Sequence, residues 1–333
     1  MFRTDIIDTT VRILSLSIAA ITWVFLLNNV LNFWYDWPGA VNYLLNIGPL
    51  DKPLPADYLA LGLLQVLTYP IAVSFVIFFV IITPSRSINA DANSLSNVSS
   101  YFIRACFLAV VAVGLVDASL AMLRVEGLME KLLNKELTTN MGRSSYRGIY
   151  VHYPLIVLAF TAAFFIRRVD FFWLVLLVVL AEFIIVVARF LYSYEQAYMG
   201  DLVRFWYAAL FLFGSAYTFI HDRHVRVDVL YAYFTERTKA KVNLLGSLLF
   251  GIPLCWIIIS QGLWYKTSSI NSPLINYEIS QSGYGMYVKY LMATFLIVFA
   301  VSMMMQFCSY ILHNISIIRN HRDSDDEKDR IVA

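Results

Sequence analysis

Long apolar blocks, each parted from the next by a short polar stretch, limit this chain more than any other feature. They occupy residues 11–34, 58–83, 101–123, 150–166, 171–192, 202–220, 242–265 and 286–312. A run of roughly 18 or more apolar residues is what a hydrocarbon layer about 30 Å thick demands of a helix. Unsatisfied backbone groups are too costly in lipid for anything but helices or closed barrels, and continuous apolarity without period-two alternation excludes the barrel. The predicted fold is an all-α polytopic membrane helix bundle with about eight transmembrane helices. Composition points the same way: 14% of residues are charged, against about a quarter in ordinary soluble domains. Membrane lipid is the expected surrounding.

The net charge is only +2 and the basic residues are scattered between blocks, so nucleic acid is not an expected partner. Cys106, Cys255 and Cys308 each lie within a block, where a thiol acts as a small hydrophobe. The opening MFRTDIIDTTVR leads into a stretch longer than a signal peptide's apolar core, which predicts a retained first span. With the N-terminus inside, 15 of the 25 basic residues fall on inner segments. That bias predicts both termini cytoplasmic. Segment 124–149 runs against it, since it would lie outside yet carries Arg124, Lys131, Lys135, Arg143 and Arg147. Its first part, LRVEGLMEKLLNKEL, spaces apolar residues at helical intervals and predicts a helix lying on the membrane surface. Aromatic residues such as Trp34, Tyr35 and Trp37 gather at block boundaries, as interfacial belts do.

No GxxxxGK[ST] loop, GxSxG elbow or HExxH pair occurs, so nucleotide hydrolysis and the common hydrolase chemistries have no local signature. His152 sits at a span boundary, where it is either structural or a candidate for a haem or proton path. Two acids, Asp117 and Glu182, lie within spans. Such carboxylates usually face protein or water and pair with a base or mark an ion path. Glu182 and Arg189 are two turns apart and share a helix face, which predicts a packing hydrogen bond or ion pair, with ion coupling as the alternative. Gly214 with Thr218, and Ser247 with Gly251, form small-xxx-small pairs suited to close helix packing.

The most informative stretch follows the fifth block. An acidic turn with Glu195 and Asp201, and then Arg204, precedes a Gly-containing span. Beyond that span His224, Arg226 and Asp228 alternate with Val225 and Val227. The alternation suggests docking against protein or membrane, while a solvated loop is the plainer reading. A Gly-Tyr-Gly and Lys289 come just before the last block. These elements resemble the small, DctQ-like membrane subunit of tripartite ATP-independent periplasmic (TRAP) transporters. The resemblance covers roughly residues 171–305, four spans. The four spans of residues 1–168 have no counterpart in it, and Glu195 and Asp201 stand six apart where the family commonly has closely paired acids.

The resemblance implies a four-helix N-terminal membrane extension over 1–168, a DctQ-like domain over 169–315 and a charged cytoplasmic tail over 316–333. It implies a multi-pass protein of the bacterial inner membrane, not an enzyme and with no cofactor or metal. The chain would scaffold a large permease subunit during sodium-coupled uptake of an organic acid or similar solute, delivered by a periplasmic solute-binding protein. Residues expected at a subunit interface or in structural roles are His224, Arg226, Asp228, Glu195, Asp201, Arg204, Glu182 and Asp117. Alternative readings are a haem-binding membrane anchor of a redox complex and a stand-alone secondary carrier.

Overall fold

A computed structural model describes residues 6–46, 55–167, 170–220, 231–280 and 285–319. Those residues contain no β-strand, and eight of their helices are long and apolar enough to cross a membrane. They are α1 (Ile6–Trp34), α2 (Ala56–Ile82), α3 (Ile88–Val125), α4 (Ser144–Phe165), α5 (Phe172–Tyr192), α6 (Ala197–Ile220), α7 (Glu236–Leu263) and α8 (Lys289–Ile318). Every apolar block of the sequence coincides with one of them. The largest displacement is in α3, which begins thirteen residues before its block, at Ile88. Its first turns carry Asn89, Asp91, Asn93 and Ser94, whose low hydropathy concealed the helix; of these Asp91 is buried.

The chain forms two compact units, and each takes residues from both sides of position 168. Unit 1 comprises 1–98, 225–257 and 303–333; unit 2 comprises 99–224 and 258–302. In unit 1, polar side chains tie α1 to α2. Asn28 donates to Thr68 Oγ1 (3.0 Å), while Gln65 accepts from the Gly39 amide (2.7 Å) and donates to Asn32 (2.6 Å). Asp91 of α3 meets Arg12 of α1 at 2.6 Å and Arg86 at 2.5 Å, and Arg12 also donates to the Thr83 carbonyl. The outward positions of α2, among them Leu63, Ile71, Phe75 and Phe78, are exposed apolar side chains, as a lipid-facing surface requires.

Two spanning helices carry a π-turn, Gly148–His152 in α4 and Ser247–Gly251 in α7. In each, a proline follows two residues later, Pro154 and Pro253, and lacks the N–H that a regular ladder would use there. Each turn also holds a glycine under an aromatic ring. A Cβ on Gly148 would come within 2.5 Å of Tyr277, and one on Gly251 within 2.7 Å of Phe307. Gly251 thus admits a ring, and at Gly214 no atom of another described element comes within 4 Å of where a Cβ would stand.

The expected surface helix of segment 124–149 is replaced by a reversal. α3 ends at Val125, Gly127 takes φ +63°, and short helices follow at Met129–Leu132 and Lys135–Met141. Asn134 caps the second by accepting from the Leu137 amide at 2.8 Å.

Candidate functional site

Within unit 2 two acids on different helices converge on consecutive peptide groups. Asp117, from α3, accepts the Tyr287 N–H at 2.7 Å; Asp201, from α6, accepts the Met286 N–H at 3.0 Å. Both amides lie just ahead of α8, where the first backbone donors of a helix lack partners and negative charge is favoured by the helix dipole.

Asp117 is sealed from solvent, as are Arg147 and His152. Its Oδ1 accepts from Arg147 Nη1 at 2.9 Å and faces His152 Nε2 at 3.1 Å. His152 Nδ1 lies 2.8 Å from the Tyr290 hydroxyl. The arrangement that satisfies every group has Nε2–H donating to the carboxylate and Nδ1 accepting from Tyr290. The rest of the Arg147 fork donates to the Met141 carbonyl, at 3.2 and 3.0 Å. Its guanidinium also lies 4.3 Å from the centre of the Tyr287 ring, with that of Arg124 at 4.7 Å. Arg124 bonds the Tyr287 hydroxyl, which itself donates to the Gly142 carbonyl at 2.9 Å. The π-turn of α4 ends on His152, and Gly148 in that turn leaves room for Tyr277 and Tyr290.

The Asp201 arrangement is closer to water. Its Oδ2 also accepts from Ser280 Oγ at 3.0 Å, and Oδ1 meets Arg204 at 3.3 Å, an arginine whose side chain is 73% exposed. These groups line an open pocket with Met286, Val288 and Lys289, and Lys289 pairs with Glu278 at 3.0 Å. Just before α6, burial and hydrogen bonds with Tyr198 and Glu126 hold the Tyr194 hydroxyl above its ordinary pKa.

Residues 175–315 match the family described as "Tripartite ATP-independent periplasmic transporters, DctQ component". No curated protein and no solved structure matches the chain. The match takes in α6, α7 and nearly all of α5 and α8, as the sequence resemblance implied, and is less than half of the chain. α1 to α4 lie before it as additional apolar helices. Asp201, Met286, Tyr287 and Tyr290 fall inside the DctQ-like region, whereas Asp117, Arg147 and His152 fall outside it. The sealed cluster therefore joins the added spans to the DctQ-like ones.

Of the residues singled out from sequence, Asp117, Asp201 and Arg204 take part in these two arrangements. His224, Arg226 and Asp228 lie outside the described residues. Glu182 does not pair with Arg189. Arg189 reaches Glu195 instead, at 3.5 Å, and both of those side chains are more than half exposed. Glu195 is therefore not part of the Asp201 arrangement. His152 has both ring nitrogens engaged, by Tyr290 and Asp117. Sequence reasoning missed Arg147, Tyr287 and Tyr290. The one signal for Arg147 was the excess of positive charge in a segment assigned to the outer side.

Proposed function

We propose that this chain is the small integral-membrane subunit of a TRAP-type transporter, acting as a non-catalytic scaffold for a large permease subunit. The observation that carries this reading is the family match over 175–315. The geometry supports it. Asp117 has both carboxylate oxygens occupied by protein donors, and Asp201 spends both on Ser280, Arg204 and a backbone amide. Acids used in this way hold helices in place. The large subunit would then carry the sodium and solute sites, and a periplasmic binding protein would deliver an organic acid or similar solute.

On this reading the protein resides in the bacterial inner membrane; an even number of spans puts both termini on one side, and the basic-residue bias makes that side cytoplasmic. Ser272 would lie outside and Ser324 inside. Single cysteines at those positions, in a background without native cysteines, test the scheme. An impermeant reagent should label only the first in intact cells, and labelling of the second overturns the topology. Function is tested in proteoliposomes. Uptake should require this chain, the large subunit and the binding protein together, and robust sodium-driven uptake by the chain alone would refute the scaffold reading.

A further inference from the structure

Glu182 is the eleventh of the twenty-one residues of α5 and so lies at its midpoint, roughly 15 Å from either end at 1.5 Å per residue. It is exposed, and among the described residues it has no hydrogen-bond or ion-pair partner. The buried positions of this helix are Leu174, Val178 and Ala181. Val175, Val179, Glu182 and Val186 recur at three- and four-residue spacing and form a separate exposed stripe. Larger residues of the same helix, Phe172, Trp173, Phe183 and Phe190, are exposed as well. The stripe carries a carboxyl group near its centre.

An ionisable side chain at mid-membrane depth faces protein or water almost without exception, because hydrocarbon can neither solvate its charge nor satisfy its hydrogen bonds. We propose that the Val175–Val179–Glu182–Val186 stripe is the seat of one transmembrane helix of the large permease subunit, and that this helix brings a lysine or arginine to Glu182. The charge of the lone carboxylate selects that partner chemistry over an apolar helix. The proposal rests on the scaffold reading above and goes further by naming the helix face and the pairing residue.

The test uses the full complex. The chain is co-expressed with the large subunit, with a photocrosslinking residue at Val179 or Val186 and, as control, at Ile71 on the exposed face of α2. Positions 179 and 186 should crosslink to one helix of the large subunit, at a site containing a basic residue, and position 71 should not. Glu182→Leu should weaken co-purification by about tenfold or more, as removal of one partner from an interfacial ion pair does. Reversing both charges, Glu182→Lys with the partner's base changed to Glu, should restore it. The melting temperature of the isolated chain should not move, which separates lost docking from misfolding. If the wild-type complex co-purifies while 179 and 186 crosslink only to lipid, and Glu182→Leu assembles normally, the stripe is a lipid face and the proposal fails though the scaffold reading stands. If the wild-type chain never co-purifies with the large subunit, both fail.

Discussion

Asp117 and Glu182 look alike in sequence, since each is a lone acid inside an apolar block, yet the structure puts them in opposite surroundings. Asp117 is wholly enclosed, with three protein groups on its carboxylate, two of them side chains that sequence reasoning did not connect to it. Glu182 faces outward from the middle of its helix. The difference is one of helical phase. A hydropathy window counts an acid without recording which way it points, and these helices are apolar on every side, so the inward face has little contrast. An acid inside a span therefore reports burial by something, and only packing reveals whether that burial is internal.

Removing charges from the enclosed site is expected to produce the largest effect. Asp117→Ala strands Arg147 and leaves the Tyr287 amide without its acceptor, and breaking such a buried pair costs about 3–5 kcal/mol. Unfolding in mixed micelles should show that loss, and the double variant Asp117→Ala, Arg147→Met should recover part of it because no uncompensated charge remains. Equal loss in the double variant would mean that the pair is not the unit of stability. Asp201→Ala comes next, at about 1–3 kcal/mol, since it leaves the Met286 amide without its acceptor but borders water that can replace the carboxylate. A larger effect than that of Asp117→Ala in the same assay would reverse the order of the two sites. Arg204→Ala should change stability by only about 0–1 kcal/mol, because its partner is held by two other donors and its own head is largely in water. Smallest is Glu182→Gln in the isolated chain, within about 0.5 kcal/mol in the same assay. A destabilisation comparable to that of Asp201→Ala would show that Glu182 has an internal partner after all.

Much of the fold was legible before any coordinates, because lipid imposes one solution on a long apolar run; α5 and its block differ by a single residue at one end. The start of α3 was not, since its polar first turns pack in unit 1, where Asp91 takes up Arg12 and Arg86. The same mechanism accounts for two of the five basic residues in 124–149. Arg124 and Arg147 count as loop cations in sequence, but they are spent on Tyr287 and Asp117 and say little about which side of the membrane the loop occupies. The candidate site was half legible. Asp117 and Asp201 could be picked out as isolated acids, but their common target is a pair of backbone amides, which carry no side-chain signature and become visible only when three helices meet.

The grip of Asp117 and Asp201 on the amides of residues 286 and 287 also bears on biosynthesis. Translation proceeds from the N-terminus, so both acids are made, and their spans delivered to the membrane, before the groups they hold exist. Until residues 285–290 emerge, each nascent acid lacks its backbone donor, and Asp117 still lacks the tyrosines that enclose it. A chain truncated before residue 285 would never supply these amides, leaving Asp117 with Arg147 and His152 alone and Asp201 with Ser280 and Arg204, so each acid site is completed only by the start of the last span.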